Sequence, residues 1–557
     1  MNRLCGARIV RTKRFLLTGG EIMKRCDSRQ RRTLIAVLFA ASIFVGAAGY
    51  GEGQTAAPAP RPTSTPNLDC TSLTKLILPD TVITEATVVP ATAADKRTGR
   101  PIPQYCKVLG ALEKTILFEV SMPTEVWNGK FMFAGGGSFN GSIPGLTHIL
   151  SRGYAAAGTD TGHQAFSGST AWALNNPKAQ LDYGHRATHL VTVLAKTIVR
   201  EYYGKQAARN YWLGCSNGGK MGLMELQRYP DDYDGAIVGA PGPSRTRLFA
   251  NHVWNAQAVF QNPIPDEKIP AIDKATLAAC DAKDGLVDGL IDRPERCQFD
   301  PKVLTCKSDD RPDCLTPGQV ATLKKLYSGA RDSSGQPWFY GYAAGHEEDY
   351  PVFWTGEETD HTDTARNKRG AGFYRDFIFG ATFDGLRDFD WDKTVLAPEV
   401  ARVAADQDAA DPNLSSFKAH GGKVIMYHGW ADHSISPYSS VAYYENVVKT
   451  VAGADDFVRL FMVPGLHHCS AGPGPIEFGG SGQRWANDDA EHDVVRALER
   501  WVEAGTAPEK IIGTKFVDDD PKKGVARKRP LCPYPLMAKY KGSGSIDDAA
   551  NFVCGRP

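Results

Sequence analysis

The stretch "ARNYWLGCSNGGKMGLMELQRYPDDYDGAIVGAPG", Ala208–Gly242, decides the fold. Its first part, through Cys215, is a short aromatic and apolar run that reads as a strand. "GGKMGLMELQRYPDDY" carries apolar residues at helical spacing, and "DGAIVGAPG" reads as the next buried strand. A strand, a helix and another strand in succession argue for a parallel sheet covered on both faces. The turn between the first strand and the helix contains Gly214-Cys215-Ser216-Asn217-Gly218, a G-x-S-x-G sequence in the strand–turn–helix context that a nucleophile elbow needs. Two glycines permit the tight turn that exposes Ser216. The helix N-terminus then points backbone N–H groups toward a developing oxyanion. The plainer reading is a serine in a glycine-rich turn.

The same rhythm extends outward. "GKFMFAGGG" (Gly129–Gly137) and "SRGYAAAGTDTGH" (Ser151–His163) read as strands running into loops, and His185–Gly204 as a helix. The rhythm stops near Pro241. Residues 242–415 are richer in Pro, Asp, aromatic residues and Cys. It resumes with the strand and loop "GGKVIMYHGWAD", a helix around "SSVAYYENVVKTV", and the strand "FVRLFMVPGLHHC". The expected architecture is therefore one α/β domain, residues 70–241 and 416–557, with an inserted lid at 242–415. No internal repeat is visible.

An attacking alcohol needs a base, and the base an orienting acid. In this fold the order is Ser, then Asp or Glu, then His, each on a loop after a later strand. Asp432 follows "KVIMYHGW", and His467 and His468 follow "VRLFMVPG". His428 precedes the loop and reads as packed or hydrogen-bonded. His433 reads as a surface or pocket-rim residue, and Asp160, His163 and Asp182 as structural. Cysteines choose between the two histidines. Cys215 precedes Ser216 and Cys469 follows His468, so a Ser–His hydrogen bond brings both cysteines within the roughly 5.5 Å Cα separation of a disulfide. A bridge pinning the two loops favours His468 as the base. A buried free thiol at Cys215 is the alternative.

The 557-residue chain carries a formal charge of +1. Residues 1–50 hold ten Lys/Arg against two Asp/Glu, and the rest 54 against 61, so a mildly acidic body gives no reason to expect nucleic-acid binding. The basic start, "MKRCDSRQRR" from Met23 and then "TLIAVLFAASIFVGAAGY", reads as a secretory signal, with Met23 an alternative start and a retained membrane anchor the alternative role. Residues 1–54 are assigned to this extension and 55–69 to a Pro/Ala linker. Periplasmic or secreted localisation follows, without stable membrane association once the signal is removed. Cys5 and Cys26 fall in the removed part. Ten cysteines remain, which suggests five disulfides among about 945 pairings.

"CDAKDGLVDGLID" (Cys280–Asp292) places Asp281, Asp284 and Asp288 around two glycines. Hard carboxylate oxygens in a tight loop suit a structural Ca²⁺, although the spacing is not that of an EF-hand. An acidic surface turn is the alternative. Zinc is not expected, since the cysteines are committed and the histidines scattered. Trp254, Trp338, Phe339, Tyr340, Trp354, Phe373, Tyr374, Phe377 and Phe379 fall in the lid. Most read as lid core, with a few facing Ser216 to stack on an aromatic acyl group.

The combination of "GCSNGG", "YHGWAD" and "HHC" resembles the tannase and feruloyl esterase family of α/β-hydrolases, which also contains the hydrolase of mono(2-hydroxyethyl) terephthalate, from about Cys70 to the C-terminus. The resemblance implies a Ser216–His468–Asp432 triad acting through an acyl-enzyme. The substrate it implies is a small ester of an aromatic acid: a hydroxycinnamate, a gallate or a terephthalate monoester. It implies oxyanion donors at Asn217 and a glycine of Gly135–Gly137, with Gly136 and Gly137 the candidates. It implies bridges Cys215–Cys469, Cys70–Cys106, Cys280–Cys297, Cys306–Cys314 and Cys532–Cys554. It also implies that the carbonyls of Leu286 and Leu290 join the three aspartates around calcium. Asn217 and His433 stand where relatives commonly carry other residues, and both are expected to flank the pocket. Other classes considered are an inactive, calcium-stabilised binding protein on a hydrolase scaffold and a peptidase or thioesterase of the same fold. The natural ester and the oligomeric state are not legible.

Overall fold

The structure, a computed structural model, describes residues 66–349, 367–484 and 487–557. The signal, most of the linker and Trp354 lie outside the described residues. A nine-stranded sheet organises the chain. Its strands are β1 (Thr81–Val89), β2 (Tyr105–Leu112), β3 (Ile116–Pro123), β4 (Lys130–Ala134), β5 (Ala155–Thr159), β6 (Arg209–Cys215), β7 (Gly235–Gly239), β8 (Lys423–Gly429) and β9 (Val458–Val463). Their spatial order is β1-β2-β3-β5-β4-β6-β7-β8-β9. From β5 to β9 every neighbour is parallel, while β1, β2, β3 and β5 pair antiparallel. The sheet is thus mostly parallel, with an antiparallel N-terminal flank that the strand–helix rhythm did not announce.

The parallel strands are apolar runs because both faces are covered. Successive residues point to opposite sides, so Trp212, Val238 and Met426 enter one core and Leu213, Ile237 and Ile425 the other. Helices α1 (Ala187–Tyr203), α2 (Asn217–Arg228) and, later in the chain, Pro437–Thr450 line the first core through residues such as Val191, Leu223 and Val447. The helix Val494–Ala504 covers the other face with Leu498 and Trp501. Asp493 caps it by accepting from the Arg496 N–H, and also receives both Arg152 guanidinium nitrogens at 2.9 and 2.8 Å.

Between β7 and β8 the described residues add no strand to the sheet. They form helices Arg245–Gln261, Ile269–Cys280, Pro317–Ser328 and Pro398–Gln407 and shorter turns. Separate small apolar clusters, one around Phe249, Phe373 and Phe377 and another around Ile272, Leu323 and Leu326, hold this part together. Five disulfides are present: Cys70–Cys106, Cys215–Cys469, Cys280–Cys297, Cys306–Cys314 and Cys532–Cys554, the pairs implied by the family resemblance. No helix among the described residues is long and apolar enough to cross a membrane.

Candidate active site

β6 ends at Cys215, α2 begins at Asn217, and Ser216 alone makes the turn with φ 60° and ψ −126°. That conformation is sparsely populated by non-glycine residues and costs on the order of 1–3 kcal/mol. The turn tolerates no side chain at Gly214, where a Cβ would meet the Gly218 carbonyl oxygen at 2.4 Å. The Ser216 N–H is anchored to the Gly239 carbonyl at 3.0 Å, which fixes the turn on the neighbouring strand β7.

The Ser216 hydroxyl meets His468 Nε2 at 2.8 Å, and His468 Nδ1 meets Asp432 Oδ2 at 2.7 Å. His467 does not share this contact; its Nε2 pairs with Glu348 at 3.3 Å. Asp432 has no solvent exposure. Its Oδ1 accepts the N–H groups of Ser434 (2.8 Å) and Ile435 (2.9 Å), and its Oδ2 also faces His428 Nε2 at 3.0 Å. Burial pushes this carboxyl up. The opposing His468 charge and the hydrogen bonds from His428 and His468 outweigh that and hold it well below the usual carboxylate range. His428 is in turn held by the Ser440 hydroxyl at 2.7 Å. The arrangement can therefore keep Asp432 ionised beside an imidazole that contacts a hydroxyl.

The cleft over Ser216 has a volume of about 460 Å³ and is walled by Gly136, Gly137, Ser142, Pro144, Arg369 and Ser481, among others. The Gly135 N–H is bonded to the Leu213 carbonyl at 2.9 Å, so it is not free to face the cleft. Gly136 is boxed in, since a Cβ there would meet the Asn140 amide at 2.3 Å, whereas at Gly137 it would meet nothing within 4 Å. A larger cavity of about 950 Å³ opens among Ser169, Phe260, Arg375 and Leu386. It contains neither Ser216 nor His468, whereas the smaller cleft holds both.

Three expectations about the surroundings are corrected. Asn217 does not flank the cleft: its side chain is wholly buried, where it accepts from the Tyr183 hydroxyl at 3.0 Å and meets the Asn140 amide at 3.1 Å. Being the first residue of α2, it turns its side chain under the helix. His433 is not at a rim. It has no exposure, sits beside the Tyr342 ring and lies 3.4 Å from the Ala343 carbonyl, and burial pushes its pKa down to about 3. The insertion packs down on the Asp432 turn and encloses it. The third concerns aromatic residues: no described residue lining the Ser216 cleft is aromatic. Phe373, Tyr374 and Phe377 instead pack with Phe139, Phe249 and Phe389; Phe339 and the half-buried Trp254 and Trp338 share another cluster; Phe379 lies tilted against Phe383; and Tyr340 is exposed. Arg369 was not anticipated, because an arginine in an irregular insertion carries no signal of which cavity it reaches.

Asp160, His163 and Asp182 have structural partners. Asp160 Oδ1 accepts from Leu117 and Gly162, His163 Nε2 lies 3.0 Å from the Phe139 carbonyl, and Asp182 pairs with Lys178 and Arg186. In the acidic loop, Gly285 and Gly289 adopt left-handed φ values of 100° and 78° and curl the chain. Asp281 accepts from Asp288 and Gly289, and Asp284 from Leu286 and Asp292. Asp288 accepts from Leu290 and pairs with Arg529 at 2.6 Å. Asp284 is pushed up to about 6, first by burial and then also by the charges of Asp288 and Asp281. Among the described residues, the groups with one ligand atom from each of three residues within 4.8 Å lie elsewhere: Cys306–Asp310–Cys314, His189–Glu225–Asp232 and Asp273–His346–Glu348.

Residues 99–555 match the family described as "Tannase and feruloyl esterase". The chain is 36% identical over 534 residues to a Xanthomonas campestris pv. campestris protein named as an uncharacterized esterase, covering 88% of this chain and 92% of that one. It is 32% identical over 545 residues to mono(2-hydroxyethyl) terephthalate hydrolase of Piscinibacter sakaiensis, covering 84% and 87%. The crystal structure of feruloyl esterase B from Aspergillus oryzae superposes with a TM-score of 0.77 at 25% identity, over 87% of this chain and 100% of that one. The fold, the elbow and these similarities agree: the chain belongs to the tannase and feruloyl esterase family and is a carboxylic ester hydrolase.

Proposed function

We propose that this protein is an exported serine esterase that cleaves esters of aromatic acids through an acyl-enzyme on Ser216. The unbroken contact chain Ser216–His468–Asp432 at a strained strand–helix turn carries the reading. His468 Nε2 takes the Ser216 proton as the hydroxyl oxygen attacks the ester carbonyl. Asp432, ionised and fixed by four N–H contacts, orients the ring and stabilises the imidazolium that forms. The carbonyl oxygen turns toward backbone donors. Asn217 heads α2, so its N–H has no acceptor within the helix, and with Gly135 committed, Gly136 and Gly137 are the candidates for the second donor. His468 then protonates the leaving alcohol. Water attacks the acyl group by the same route in reverse.

The relatives named for feruloyl esters and for a terephthalate monoester support an aromatic acyl group. Arg369 in the cleft wall supplies N–H donors suited to an oxygen substituent on that ring. Five disulfides support an oxidising compartment, periplasmic or extracellular. In the acidic loop, three aspartates gathered around two left-handed glycines offer a hard oxygen donor set that suits a calcium ion held by Asp281, Asp284, Asp288 and the carbonyls of Leu286 and Leu290. Bound there, the ion would neutralise the aspartates and stiffen the loop; it enters no catalytic step.

The test is kcat/KM measured side by side on methyl ferulate, methyl gallate, chlorogenate and mono(2-hydroxyethyl) terephthalate, with fluorophosphonate labelling of Ser216. Turnover of at least one aromatic ester over an aliphatic control, with label on Ser216, is the expected result. An unlabelled, inactive protein would leave a binding scaffold as the better description.

A further inference from the structure

On the side of the sheet where α1 and α2 lie, a second polar cluster has no part in ester hydrolysis. Glu225, on the last turns of α2, is completely buried, and no donor group reaches either carboxylate oxygen; the Asp232 carboxylate is its polar neighbour. An unpartnered carboxylate in an interior costs several kcal/mol in general, so its persistence calls for a partner. His189, on α1, and Asp232, just beyond α2, present ligand atoms within 4.8 Å of it and of each other. His189 Nδ1 already faces Asp232 Oδ2 at 2.7 Å. The Tyr229 ring stacks on the imidazole at 3.7 Å between centroids and 6° between planes, and its hydroxyl meets His185 Nδ1 at 2.8 Å. The imidazole is therefore held in place from behind while its Nδ1 side looks into the cluster. Its side chain is 29% exposed, which leaves a route to solvent.

We propose that His189, Glu225 and Asp232 form a divalent transition-metal site, of the kind zinc occupies, that clamps α1 to the C-terminal end of α2. The donors are one imidazole nitrogen and two carboxylates. Ligands about 2.0–2.2 Å from a common tetrahedral centre sit roughly 3.4 Å apart, so only side-chain adjustments separate the cluster from that geometry. Two cations stand near it. Lys220 is buried and donates to the Gly184 carbonyl at 2.6 Å, so it is already engaged. Lys196 donates to the Asp232 carbonyl and lies 3.4 Å from Oδ1, with a side chain 25% exposed. Its flexible stem lets the ammonium withdraw to solvent when a metal takes the Asp232 carboxylate. The competing description is a protonated Glu225 sharing its proton with Asp232.

The experiment uses the full chain with its disulfides intact, kept in millimolar calcium so that the acidic loop is not at issue. Residual transition metal is removed with a zinc-selective chelator, and zinc chloride is titrated by calorimetry with Tm recorded in parallel. The expected result is saturable uptake of about one equivalent and a higher Tm. His189→Gln and Glu225→Gln should each weaken that binding on the order of 100-fold and abolish the Tm gain. Without zinc, Glu225→Gln should melt no lower than the parent, since it replaces a buried acid that no donor satisfies with an amide of the same shape, and this keeps the test readable if His189→Gln folds poorly. No saturable uptake by the parent, or uptake and Tm gain unchanged in Glu225→Gln, would overturn the proposal and leave the proton-sharing pair.

Discussion

Consider removing the Cys215–Cys469 bridge by the paired substitution Cys215→Ala/Cys469→Ala. The bridge spans a Cα–Cα distance of 6.0 Å and closes a loop with a sequence separation of 254 residues. The chain-entropy relation assigns such a loop about 5.5 kcal/mol. Two other bridges, with separations of 17 and 8, lie inside it, but because the dependence is logarithmic they lower the figure by only about 0.1 kcal/mol. For a folded body of this size, 5.5 kcal/mol corresponds to a fall in Tm of about 5 °C. Catalysis should suffer separately. Ser216 and His468 are chain neighbours of the two cysteines and meet at 2.8 Å, so a slip of about 1 Å takes them beyond hydrogen-bond range and costs on the order of 10²-fold in kcat. The assay is kcat on an aryl ester at a temperature where circular dichroism shows the variant fully folded. The control is Cys306→Ala/Cys314→Ala, whose bridge is distant in sequence from both loops. A folded Cys215/Cys469 variant with parental kcat would refute the argument that the bridge sets the distance between Ser216 and His468.

Ser216→Ala and His468→Ala should each lower kcat by about 10⁴-fold with an unchanged circular dichroism spectrum, while His467→Ala, which loses a contact to Glu348, should cost far less. Chelation should lower the Tm, calcium should restore it, and Asp284→Ala should mimic chelation in differential scanning calorimetry; a curve indifferent to all three would reduce the loop to an acidic turn. His433 should weaken the fold in mild acid. Its folded pKa is about 3 against about 6.5 unfolded, so below pH 6.5 the unfolded chain takes up a proton that the folded chain refuses, and stability falls as the pH drops. At pH 5 this amounts to roughly 2 kcal/mol, and His433→Asn should show a shallower fall in Tm between pH 7 and pH 5 than the parent.

The parallel strands β4 to β9 were legible because burial on both faces makes each a short apolar run bounded by glycine, and the helices between them keep their apolar spacing. The antiparallel flank was not. In β1 only Ala86 is buried, so the strand shows no apolar signal. That Ser216, His468 and Asp432 come into contact was legible because chain order and the flanking cysteines constrain them. The His428 contact to Asp432 was hidden, since it joins a strand end to the loop beyond it. The cleft wall was hidden for a different reason: composition locates aromatic residues in the insertion without saying which way they face, and Phe377 turned to Phe139 and Phe373 to Phe249 rather than to Ser216. The Glu225 cluster needs the relative placement of two helices, which no local pattern encodes.

Sheet geometry explains why a bridge is found at this place. Ser216 follows β6 and His468 follows β9, and β7 and β8 lie between them. Three strand spacings amount to about 14 Å, yet the two side chains meet at 2.8 Å. The chain after β9 must therefore run back across the ends of its neighbours. It passes so close over β8 that a Cβ at Gly429 would lie 1.9 Å from the Leu466 carbonyl oxygen, which only glycine permits. Such a returning segment belongs to no helix or strand and has little local structure to hold its far end. Cys469 sits at that end in a left-handed conformation with φ 68°, tied to Cys215 and, through its carbonyl, to the Gln483 side chain at 3.0 Å. The covalent bond thus stands at the end of this returning segment, one residue from the imidazole that meets Ser216.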